Sequence, residues 1–100
     1  MIYVDAITHY PQCKLPYKDW CHMATDSDLA ELHHMAARLG LRRAWFQNTP
    51  THPHYDLTPA KRAQAIRLGV QAVSTPELLR RCYPHTLGKG LLPHTTEAQG

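Results

Sequence analysis

One hundred residues suffice for one domain with one core, and 43% hydrophobic against 19% charged residues marks a folded rather than a disordered chain. No apolar run approaches the roughly 20 residues of a membrane span, and "MIYVDAITHY" lacks the basic and apolar regions of a secretion signal, so a cytoplasmic protein is expected. A net charge of +3 suits an anionic small molecule. It falls short of the basic stripe of a duplex-DNA binder, so neither nucleic acid nor membrane is expected as a partner.

Three cysteines (Cys13, Cys21, Cys82) without CxxC spacing argue against a disulfide framework. The eight histidines are the compositional outlier, and imidazole binds metals, moves protons and donates to phosphate.

In chain order, "MIYV" (1–4) predicts a strand ended by Asp5. Residues 7–24, with Pro11, Pro16, Lys14, Lys18 and "DWCHM", predict a long irregular connection, and ordered loops of that length tend to carry function. Thr25 and Asp28 fit a capping box for a first helix that Gly40 ends. At 100° per residue Leu29, Leu32, Ala36 and Leu39 form its core stripe, with His34 opposite in solvent. His33 falls about 80° from the stripe's centre, on the boundary between core and surface.

"LRRAWF" (41–46) predicts a second strand, on the β-propensity of Trp45 and Phe46. A loop, "QNTPTHPHYDL", follows. Thr58 then caps a second helix with Pro59 at its first position and Gly69 past its end. "VQAV" (70–73) predicts a third strand, and Ser74 with Glu77 caps a third helix. The single domain is expected over residues 1–82. The Pro-, Gly- and Thr-containing remainder, 83–100, reads as a C-terminal tail or arm.

The β-α-β-α-β-α order predicts a small Rossmann-like α/β fold, a parallel three-stranded sheet flanked by helices. So thin a sheet has open edges, which predicts a homo-oligomer. In a parallel sheet every strand-to-helix connection lies at one rim, where ligands bind. That topology gathers Asp5, His22, His52, His54, Tyr55, Asp56, Ser74 and Thr75 there. Three helix N-termini on the same rim favour a phosphate or other anion.

The expected ligand is therefore small, phosphate-bearing and nucleotide-like. His22 and His54 would donate to its oxygens, and Trp20 or Tyr55 would stack on its planar group. Asp5 and Asp56 would orient the histidines or accept from sugar hydroxyls, while Ser74 and Thr75 supply donors. Lys14, Lys18, His33, His52 and Arg62 form an outer set. The alternative is a metal-assisted phosphoesterase or nucleotide hydrolase, with Asp5, His22, His54 and Asp56 around a divalent ion. Under the first reading no cofactor is needed. Neither a GxSxG elbow nor a Walker loop occurs, and H-P-H is not a specific ligand spacing.

With "MIYVDA", "WCHMATD", "LAELHHMAARLGL", "HPHYDLTPAKRAQAIRLGVQAVST" and "ELLRR" in order, the chain resembles a small uncharacterised family, a domain of unknown function found in bacteria and tailed phages. The resemblance covers roughly residues 1–82. It rests on the first strand ending at Asp5, the W-x-H of Trp20 and His22, the L-H of His33, and the H-Y-D of 54–56. His34 and the tail after Tyr83 lie outside the pattern. The family carries no activity to transfer. A phage setting adds the expectation of an anti-defence sequestering protein, which captures a nucleotide signal of host immunity without turning it over.

Overall fold

A computed structural model describes residues 1–86. The remainder of the expected tail, 87–100, lies outside the described residues. The chain runs β1 (Ile2–Val4), β2 (Thr8–His9), β3 (Asp19–Thr25), α1 (Leu29–Arg38), a 3-10 turn (Arg43–Trp45), β4 (Tyr55–Leu57), α2 (Pro59–Arg67), β5 (Gln71–Ala72), α3 (Thr75–Cys82) and a closing 3-10 turn (Pro84–Thr86).

The sheet is mixed, five-stranded and mostly antiparallel. β3 is its spine. It pairs antiparallel with β1 (Val4 opposite Met23), β2 (Thr8 opposite Trp20) and β4 (Asp56 opposite His22). Only β5 runs parallel to β1, with Val4 opposite Ala72. The α/β class therefore holds, while the expected three-stranded parallel arrangement does not.

Two segments account for the difference. Residues 7–24 are not one irregular connection: they hold β2, a loop and most of β3. From Trp20 to Thr25 β3 is buried on both faces, so the alternation that betrays a half-exposed strand is missing. The expected strand at 41–46 is instead the 3-10 turn after α1, where Arg42, Arg43 and Ala44 are all exposed and pair with no strand among the described residues. The H-Y-D segment, expected in a loop, supplies the fully buried strand β4.

Helix chemistry follows the sequence more closely. Thr58 and Ser74 cap α2 and α3, their hydroxyls accepting from the amides of Lys61 and Glu77. α1 starts three residues later than its capping box implied: Asp28 is the N-cap and accepts from the Glu31 amide, while Thr25 hydrogen-bonds the Glu31 side chain at 2.7 Å. Gly40 ends α1 at φ +78°, a conformation that costs a side-chain-bearing residue about 1 kcal/mol. Of the predicted stripe on α1, Leu32, Ala36 and Leu39 are buried, and Leu29 stays 37% exposed.

Alternation along the strands creates two dissimilar faces. Ile2, Val4, Cys21, Met23, Tyr55 and Leu57 point to one side and pack on Leu32, Met35, Ala36 and Leu39 of α1 and Ala65 of α2. Tyr3 and Ala24 point to the other side, against Leu78 of α3 and Tyr83. α3 covers only part of this second face. No helix among the described residues is long and apolar enough to cross a membrane.

Candidate functional site

Beyond the part that α3 covers, the second face becomes polar. Asp5 follows Tyr3 by two residues on the β1 side, and His22 precedes Ala24 by two on β3. Asp56 stands directly opposite His22, and His54 lies two residues before Asp56. The period of two thus delivers four polar side chains from three neighbouring segments to one patch. All four are buried: Asp5 and Asp56 are 1% exposed, His22 5% and His54 9%. Burying two carboxylates and two imidazoles without apolar compensation is expensive, and it demands internal partners.

Asp5 finds three. Its Oδ1 accepts from the His22 amide at 2.7 Å, and its Oδ2 lies 2.8 Å from His22 Nδ1 and accepts from the Thr75 hydroxyl at 2.8 Å. Burial presses the Asp5 carboxyl upward, but the hydrogen bonds and charge of His22, with the Thr75 hydroxyl, outweigh it and hold the group below its ordinary value.

His54 turns Nδ1 to the backbone oxygen of His52 at 2.6 Å and Nε2 to Asp56 Oδ1 at 3.2 Å. Burial favours its neutral form. The Asp56 hydrogen bond and charge outweigh that, and the net shift is upward.

The contacts of His22 fix its tautomer: Nδ1 faces a carboxylate that can only accept, so Nδ1 carries the proton and the neutral ring keeps its lone pair on Nε2. His54 has an acceptor at each nitrogen, the His52 carbonyl at Nδ1 and Asp56 Oδ1 at Nε2, which favours the doubly protonated ring; an ion bound there would take the place of the Nε2 proton. His22 Nε2 makes no hydrogen bond among the described residues. The two rings meet edge to face, 5.2 Å between centroids. One donor atom from each of His22, His54 and Asp56 lies within 4.8 Å of the others. Two imidazoles and a carboxylate, each imidazole held from behind by an acceptor, form a donor set suited to a borderline divalent ion such as zinc, manganese or iron.

The remaining residues expected at a site divide clearly. Thr75 reaches the cluster through Asp5, and Arg62 donates from Nε to the Asp5 backbone oxygen at 2.8 Å. Ser74 is exposed and serves as the α3 cap. Trp20 is buried, its Nε1 donating to the Tyr17 oxygen at 3.0 Å, and Tyr55 is buried on the opposite face with its hydroxyl 2.8 Å from His33 Nδ1. Neither ring offers a face on which a ligand could stack.

His33 packs edge-on against Phe46, so it supports the core rather than the cluster. His52 contributes its backbone oxygen; its ring sits against Tyr83. Lys18 donates to the Cys13 oxygen, and Lys14 is exposed.

Two residues near the cluster carry no signal that the sequence pattern singles out. Tyr83 donates its hydroxyl to the Pro53 oxygen at 2.9 Å and so braces the segment entering His54. Tyr10, half-buried, follows Thr8 by two residues and therefore shares the His22 face. Burial and then the nearby Asp5 charge raise its phenol, keeping it a neutral donor. The signal for Tyr10 is the pairing of β2 with β3, continued by the Tyr10 amide donating to the Lys18 oxygen at 2.8 Å.

The chain is thus a mixed α/β domain with a buried histidine–carboxylate cluster on the sheet face that also carries Tyr3 and Ala24. It belongs to the family described as protein of unknown function DUF4031, whose match spans residues 2–84. Comparison with curated proteins found no match, and comparison with solved structures found none either.

Proposed function

We propose that this domain is a mononuclear metal-dependent hydrolase of a small phosphate-bearing substrate, with His22, His54 and Asp56 as ligands and Asp5 as the group that positions His22. One observation carries the reading: both histidines have Nδ1 held on an acceptor, and one ligand atom from each of His22, His54 and Asp56 lies within 4.8 Å of the others. His22, His54 and Asp56 would hold the ion by three protein ligands, and an ion so held would supply Lewis-acid activation of water and of a phosphoryl oxygen.

Sequestration without turnover calls for stacking by Trp20 or Tyr55 in addition to phosphate contacts from histidines, lysines and helix N-termini. The burial of both rings makes it the weaker reading. The test is direct. The purified chain is reconstituted with Zn²⁺, Mn²⁺ or Co²⁺, and metal per chain is measured for wild type and for the His22→Ala, His54→Ala and Asp56→Ala variants. A nucleotide panel is then incubated with the loaded protein. One ion per wild-type chain, lost in the variants, together with product over many turnovers supports the proposal. Intact ligand recovered at one per chain would replace hydrolysis with sequestration. No retained ion sinks the metal centre.

A further inference from the structure

We propose that the centre acts on a phosphodiester, a monoanion, in preference to a dianionic phosphomonoester, and that Arg62 sets this preference; the inference rests on the metal-centre reading above. The argument is one of charge. A divalent ion held by two neutral imidazoles would be neutralised by the two buried carboxylates, Asp56 as ligand and Asp5 behind His22. Arg62 is then the surplus. Its Nε is bonded to the Asp5 backbone oxygen at 2.8 Å, and it forms no ion pair among the described residues.

Two lysines are turned elsewhere, Lys61 to the Leu39 oxygen at 2.6 Å and Lys18 to the Cys13 oxygen. The loaded site therefore carries a net single positive charge in a poorly solvated setting, where each unmatched charge is costly. A bound phosphodiester brings the total to neutrality, whereas a phosphomonoester dianion overshoots it.

The reaction is balanced with water alone. A water oxygen forms a new bond to phosphorus and the bond from phosphorus to one ester oxygen breaks. One water proton goes to the departing alkoxide and the other stays on the monoester product. Loss of that last proton makes the product a dianion, which the same charge balance disfavours, so product leaves more readily than substrate.

The experiment uses the full chain loaded with Mn²⁺ or Zn²⁺ and two probes that share a chromophore, bis(p-nitrophenyl) phosphate and p-nitrophenyl phosphate. Wild type is expected to show kcat/KM at least tenfold higher on the diester. Arg62→Ala should lose that preference at least tenfold with metal content unchanged, and Arg62→Lys should retain more of it than Arg62→Ala. Equal or better use of the monoester overturns the proposal, as does an unchanged ratio in Arg62→Ala, or no hydrolysis of either probe by fully loaded protein. Failure of the metal centre itself is read separately, as absence of bound ion in wild type, and removes the proposal with it.

Discussion

Replacing Asp5 by asparagine tests the cluster at the residue on which most of it hangs. The change keeps shape but removes the charge and one acceptor. If the amide oxygen keeps the bond from the His22 backbone (2.7 Å in the carboxylate), the new NH₂ faces two donors, Thr75 Oγ1 and His22 Nδ1, each at 2.8 Å. The threonine hydroxyl can rotate and accept. The histidine must either break the contact or move its proton to Nε2, which removes the lone pair offered to an ion.

Losing one to two charge-assisted bonds at a fully buried site costs about 2–4 kcal/mol. For a domain of this size that is a fall in Tm on the order of 10–20 °C. Loss of the carboxylate behind a metal-binding histidine lowers metal affinity about 10–100-fold. Urea denaturation of the metal-free protein at pH 7 and a competitive Zn²⁺ titration measure the two effects.

The pH dependence gives a third readout. The folded Asp5 carboxyl titrates below its unfolded value of 3.8, so its stabilisation is present above that pH and is lost as pH falls through the folded value. Asp5→Asn should therefore flatten the acid limb of the stability profile. Stability within about 0.5 kcal/mol of wild type together with metal affinity within about twofold would refute the argument.

Other outcomes follow from the same contacts. The folded His54 value is raised above 6.5, so in metal-free protein the His54–Asp56 pair stabilises fully below that pH and progressively less as pH rises through the folded value. The difference in urea midpoint between wild type and Asp56→Asn should accordingly shrink from pH 6 to pH 9. Tyr55→Phe removes the partner of His33 and should cost about 1 kcal/mol in a thermal or urea melt, while leaving metal content intact. His34→Ala, on the exposed side of α1, should change stability by less than about 0.5 kcal/mol; a loss comparable to that of Tyr55→Phe would contradict the placement of α1.

What the sequence made legible was local. Thr58-Pro59, Ser74 with Glu77, and the two glycines after α1 and α2 announce helix ends through chemistry that acts within four residues. Strand pairing is not of that kind. β3 and β4 are buried on both faces and contain histidine and aspartate, so they show neither alternation nor an apolar run. With β3 hidden in this way, an antiparallel spine looks like a loop, and β-α alternation suggests a parallel sheet.

Asp5, His22, His54 and Asp56 nevertheless fall together, for a different reason than a shared rim: period-two alternation along adjacent antiparallel segments, with Thr75 joining them from the first turn of α3. Trp20 and Tyr55 show the cost of the wrong reason. Both are near the cluster in sequence, yet Tyr55 points through the opposite face and Trp20 is covered by the connection before it.

The bonds that hold Asp5 join residues 17 and 70 apart in sequence, and the Arg62 bond to its carbonyl spans 57. Asp5 is held only when such distant partners meet, so loop-closure entropy opposes its part of the centre, whereas His54 finds the His52 oxygen and Asp56 within two residues. A fragment lacking β1 or α3 would lose the Asp5 contacts. The His22 amide, bonded to a buried carboxylate, should exchange its hydrogen only through global opening. Whatever binds there shifts the equilibrium of the entire domain by mass action, so a simple melting screen over ions and phosphodiesters reads occupancy of the cluster whether or not the bound molecule is turned over.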